Sequence, residues 1–191
     1  MSDASDRLSR YRERLDSLTG AEPVVSSFDP REAADGLVLA LAYIGVPEPG
    51  YVTGFTYGLS LVRHADWGQA GRELSITVRS DNVEWASVPA RIIAGLRGLG
   101  SFGLGHVLGH VGPYVSDSQM SSIVLAGPAV PAEGVVDLGD DERGGDLVEI
   151  AGVYPIHAAE REFVYSRGFD ALWNLEWDRF DPSRESVVQA H

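Results

Sequence analysis

The chain has 191 residues, is 44% hydrophobic, carries a formal net charge of −13 and contains no cysteine. That length and hydrophobic content suit one globular domain with a substantial core, while the missing cysteine excludes disulfides, thiolate zinc sites and cysteine nucleophiles together. A strongly acidic balance argues against nonspecific nucleic-acid binding, which depends on Lys and Arg neutralising phosphates. No apolar run of about 18 residues exists, so no membrane-spanning helix is expected.

In chain order, Leu8, Tyr11, Leu15 and Leu18 fall at helical spacing among arginines and acids, which predicts an amphipathic helix ended by Gly20. The polar start MSDASDRLSRYRERLDSL lacks the apolar segment of a secretory signal, and a cytoplasmic location is expected. Pro23 and Ser26 to Pro30 read as a connection. Leu37 to Val46 is apolar enough for a buried strand, although Ala34 and Ala40 leave a helix open. Tyr51 to Val62 is rich in aromatic and β-branched residues, with Gly54 and Gly58 permitting a bulge or a close backbone approach. In Arg72 to Arg79, Leu74, Ile76 and Val78 alternate with Glu73, Ser75, Thr77 and Arg79, the pattern of a half-buried strand with its charges outward. A helix follows Ser80 to Asn82, with Ser87 as N-cap, Pro89 in its first turn and Val88, Ile92, Ile93 and Leu96 as its apolar face. The glycines from 95 to 112 predict a broken segment, because each costs a helix about 1 kcal/mol relative to alanine. Strands are expected at Ser121 to Ala126 and Leu147 to Val153, separated by an acidic loop from Gly127 to Asp146. Two short helices, near 156–167 and 169–178, finish the domain.

Several weak motifs occur in a fixed order: Asp29-Pro30, Thr56-Tyr57-Gly58-Leu59-Ser60, Glu73-Leu74-Ser75-Ile76-Thr77, Trp85 with Pro89, Ser121 to Leu125, and Glu149 to Pro155 leading into Glu160 and Glu162. In that order they resemble the suppressor of fused family over roughly residues 25 to 185. The resemblance implies an α+β fold, a mixed and mainly antiparallel sheet flanked by helices. It divides the chain into an N-terminal helix (1–22), a suppressor of fused-like domain (23–186) and a tail (187–191), and it favours the strand reading of Leu37 to Val46. Larger eukaryotic members carry a second, C-terminal domain that grips a transcription-factor peptide, and this sequence contains no counterpart to it. Single-domain bacterial members are thought to act as immunity proteins that neutralise a toxin domain.

Motifs that suggest chemistry are incomplete. Gly98, Gly100 and Gly103 match the dinucleotide-binding spacing but follow a helix-like segment, outside any βαβ pattern. His106 and His110 have the i, i+4 spacing of zinc ligands on a helix, yet glycines precede both and no glutamate follows the first. They carry the alternative reading, a metal-dependent small-molecule enzyme. Ser60 lacks the second glycine of a nucleophile elbow, and Asp137 to Val148 lacks the sixth-position glycine and closing glutamate of a calcium loop. Trp173 and Trp177, four apart, are expected to share a helical face, either in the core or as a recognition patch. No catalytic residue, cofactor site or metal site is assigned. The candidate partner-binding residues are Asp137, Asp140, Asp141, Glu142 and Asp146, clustered among glycines in a long connection, where charge complementarity would hold a basic protein such as a toxin domain.

Overall fold

A computed structural model describes residues 2–31, 36–141 and 144–188. Its elements are α1 (Ser2–Thr19), β1 (Val24–Phe28), β2 (Val38–Ile44), β3 (Tyr51–Tyr57), β4 (Gly71–Arg79), a 3-10 turn (Val83–Ser87), α2 (Val88–Leu96), β5 (Val107–Gly109), β6 (Ser122–Ala126), β7 (Val135–Asp141), β8 (Gly144–Ile156), α3 (Ala158–Arg167) and α4 (Phe169–Trp173). One mixed sheet runs in the order β1-β2-β3-β4-β8-β6-β5, and β7 also pairs with β8. Among the described residues only β4 and β8 pair in parallel, with Gly71 opposite Val148 and Ile76 opposite Val153. The long β8 is shared: β7 pairs with its first half, and β6 pairs antiparallel with its second. The α+β architecture is that expected from the sequence.

Period-two alternation sends side chains to both faces, and both faces are covered. On one, Leu74, Ile76 and Val78 of β4 join Val38, Ala40, Val52 and Val153 beneath Trp85, Val88, Ile92 and Ile93 of the 3-10 turn and α2. Gly54 allows this close packing, because a Cβ there would sit 2.2 Å from the Ala86 carbonyl oxygen. On the other face, Tyr11 and Leu15 of α1 cover Leu41, Tyr43, Phe55, Tyr57 and Val148. Further along that face, α3 and α4 cover Val124, Tyr154 and Ile156 with Val164 and Leu172.

Four local expectations are corrected. Ser26 to Phe28, read as part of a connection, belong to β1, whose extended backbone completes a ladder with the otherwise open edge of β2. The segment from Gly127 to Asp146 is not one loop: most of it is the β7/β8 hairpin, and β8 begins at Gly144. The glycine-rich segment contains β5, paired from Val107 opposite Val124 to Gly109 opposite Ser122. The last helix stops at Trp173 instead of 178, since Trp177 turns back to donate its indole N–H to the Leu172 carbonyl at 3.2 Å.

Candidate functional site

The acidic segment is a hairpin in which the predicted residues separate. Asp137 is exposed on β7 and accepts the Gly139 N–H at 2.8 Å, at the register shift that lies between Asp137 and Asp140. Asp140 and Asp141 continue the β7 backbone, paired with Gly145 and Gly144, while Glu142 lies outside the described residues. Asp146 is mostly buried and engaged internally. Arg7 of α1 donates Nε to its Oδ2 at 2.8 Å and Nη2 to its Oδ1 at 3.0 Å, a two-pronged pair that ties the helix to β8.

Arg7 also leads to a buried carboxylate that alternation alone places wrongly. Glu73 was expected to face outward, yet it is fully buried beneath α1. Thr56 Oγ1 donates to its Oε2 at 2.7 Å, and Ser60 Oγ donates to its Oε1 at 2.7 Å. The N–H groups of Gly58, Leu59 and Ser60 donate at 2.9, 3.3 and 3.0 Å. Gly58 has φ +128°, a conformation that turns the chain back over the β4 carboxylate and favours glycine. Ser60 in turn accepts from Arg7 Nη1 at 2.8 Å. Ser60 is therefore a structural link between the buried glutamate and α1. A charged group is kept off the water only when its lone pairs are filled in this way.

The sequence reading missed the surface beside β5. This strand ends the sheet, and its register leaves one edge without a strand partner among the described residues. Leu125 N–H donates to the His106 carbonyl and His110 N–H to the Ser121 carbonyl, so even-numbered residues face β6. Val107 and Gly109 consequently turn their N–H and C=O groups outward. Beside this edge lies a cleft of about 370 Å³ between α2 and β5, lined by Ile92, Leu96, Leu108, Tyr114, Arg91 and His110 among others. A second hollow of about 180 Å³ continues it, sharing Leu96 and Leu108 and adding Phe102 and Leu99. Leu99, Leu104 and Val111 stand exposed around it. Burial pushes the Tyr114 phenol up to about 12, so it stays protonated, and its ring stacks on His110 at 5.3 Å. Only the run of leucines among glycines signals this surface in the sequence.

The two histidines flank β5 and share no helix. His106 Nδ1 accepts the Gly103 N–H at 3.3 Å, and His110 Nδ1 bonds the Gly112 carbonyl at 2.8 Å. No group of three or more His, Asp or Glu side chains among the described residues is placed to hold a metal ion. Trp173 and Trp177 form a cluster: the two indoles meet edge-on at 5.8 Å, Arg179 lies 4.2 Å above Trp173, and Arg184 lies 4.4 Å above Trp177. Arg184 also clamps the buried Glu160 at 2.5 and 2.7 Å, fixing the C-terminal segment to α3. The indoles are thus packed against the chain's own arginines. No helix among the described residues is long and apolar enough to cross a membrane.

A two-sided mixed sheet with an open strand edge beside an apolar cleft defines a domain whose distinctive surface is a groove suited to an extended segment. The chain belongs to the suppressor of fused family, whose model, described as suppressor of fused protein, matches residues 35–185. Solved structures share the fold. A chain of the Sufu–Fu complex is 13% identical with a TM-score of 0.61, over 87% of this chain and 82% of that one. A protein described as a suppressor of fused homologue from Neisseria gonorrhoeae is 16% identical with a TM-score of 0.64, over 98% and 97%. Drosophila Suppressor of Fused is 12% identical with a TM-score of 0.66; the match covers 95% of this chain but only 51% of that one. The chain matches no curated protein.

Proposed function

We propose that this protein is a noncatalytic protein-binding domain of the immunity type, which binds and neutralises a toxin domain in the cytoplasm. The observation that carries the reading is the open edge of β5 beside the α2 cleft. Outward N–H and C=O groups at Val107 and Gly109 give an extended partner segment main-chain affinity, and the leucine-lined cleft gives its side chains a place. Family membership supports protein binding, since a structural relative is a component of the Sufu–Fu complex.

Net charge supports the class of partner. A chain at −13 attracts basic proteins over long distances and repels acidic ones. Asp137, Asp140, Asp141 and Glu142 supply the local steering charge, whereas Asp146 serves as the anchor of Arg7. The test is co-expression with the product of the adjacent gene. Formation of a complex and restored growth of cells expressing that product are expected; no binding and no protection would remove the immunity reading.

A further inference from the structure

Among the described residues the other end of the sheet is also open: β1 pairs with β2 alone and is the terminal strand. Gly45 N–H donates to the Tyr51 carbonyl, so odd-numbered residues of β2 face β3 and even-numbered ones face β1. Through the register Val24 opposite Ala42 and Phe28 opposite Val38, residues 24, 26 and 28 bond to β2. Val25 and Ser27 therefore point their N–H and C=O groups away from the sheet.

Within Val24–Phe28 the edge lacks the charges, prolines and bulges that commonly block strand addition. Val24 and Val25 are 57% and 47% exposed, and Ile44 at the end of the neighbouring strand is 64% exposed. The uncharged strand is bracketed by exposed Glu22 and Asp29, neither of which has an ion-pair partner among the described residues. Arg31, two residues beyond, is the nearest cation along the chain.

We infer that β1 is a second docking edge, which accepts an extended partner segment having an uncharged β-branched centre and basic residues at its ends. Charge complementarity selects this occupant over a second copy of the chain. Antiparallel self-pairing about Ser26 would set Glu22 of one copy beside Asp29 of the other, twice by symmetry, between molecules each at −13. A basic-flanked strand meets both carboxylates favourably. The inference goes beyond the β5 reading and stands separately from it, because the two edges lie at opposite ends of the sheet.

The experiment uses the full chain and a synthetic peptide of alternating valine and threonine with paired lysines at each end. Amide hydrogen exchange read by NMR should slow at Val25 and Ser27 when the peptide is added, and added salt should weaken the effect. Val25→Lys should weaken binding about tenfold or more, through loss of the apolar edge contact and repulsion of the lysines. Its melting temperature should be unchanged because the site is exposed. A peptide methylated on alternate amide nitrogens should not bind. Unchanged exchange along β1 at millimolar peptide, or protection confined to Val107 and Gly109, would overturn the inference. Self-association abolished by Val25→Lys would also overturn it, by assigning the edge to a second copy.

Discussion

Glu73 is a fully buried strand carboxylate, and five donors from Thr56, Gly58, Leu59 and Ser60 fill its lone pairs. Removing the acceptor leaves those donors unpaired in the interior. Glu73→Leu should therefore cost roughly 3–5 kcal/mol, and Glu73→Gln about 1–3 kcal/mol, because an amide presents N–H groups to donors. Urea unfolding measures both, and a leucine variant as stable as the parent would contradict the role given to the clasp. Glu160 makes a pH prediction. Burial pushes its carboxyl up, but the Arg184 guanidinium and the N–H groups of Val187 and His157 outweigh burial and hold it below the usual range. A folded value below the unfolded one, about 4.3 for glutamate, gives stability that is present above that pH and lost as pH falls through the folded value. Glu160→Gln should flatten the loss of stability below about pH 4.3 while lowering stability at neutral pH. Thermal melts from pH 3 to pH 7 read the slope.

At the scale of elements, α1 is a structural layer as much as an N-terminal helix. Tyr11 and Leu15 are fully buried on the sheet, Arg7 bonds Asp146 of β8, and Asp16 accepts the Tyr43 hydroxyl at 2.7 Å. Leu15→Ala should cost about 2–5 kcal/mol, as for other buried leucines, measured as a shift of the urea midpoint. Deleting residues 2–20 should leave an aggregating core instead of a soluble domain, visible by size-exclusion chromatography. Most elements were legible in the sequence because periodicity reports which residues share a face: Leu74, Ile76 and Val78 meet Val88, Ile92 and Ile93 in one core, but β4, read as half-buried, is buried on both faces, and Leu96 of the predicted α2 face is exposed. Elements that failed were those whose partners are distant. β1 is short and exposed on both faces, so it has no alternation to read, and only pairing with β2 makes it a strand. The same holds for β5, three residues among glycines, and for β7, whose aspartates look like loop until β8 is laid beside them. Glu73 was misplaced because alternation assigns a face but not what covers it, and α1 covers that one. The candidate acidic residues were found by composition, whereas the cleft arises from α2 meeting β5 across the fold.

For the molecule as a whole, the proposed function divides the work of binding between charge and shape. On the proposed reading, long-range attraction would set the rate of encounter, and the β5 edge with its cleft would set how long the partner stays. Asp137→Lys should leave stability within about 0.5 kcal/mol, since the side chain is exposed, and should slow association with a basic partner while shifting its salt dependence. Leu108→Asp, in the floor shared by both hollows, should instead speed dissociation. The most direct measurement of the central claim is calorimetric titration of the adjacent gene's product into the full chain, repeated with Leu108→Asp and with His106 and His110 both replaced by alanine. A stoichiometric complex that salt and Leu108→Asp weaken at least tenfold, and that the double histidine variant keeps largely intact, is the predicted result. No heat of binding, together with turnover of a small molecule that disappears when the two histidines are replaced, would contradict it.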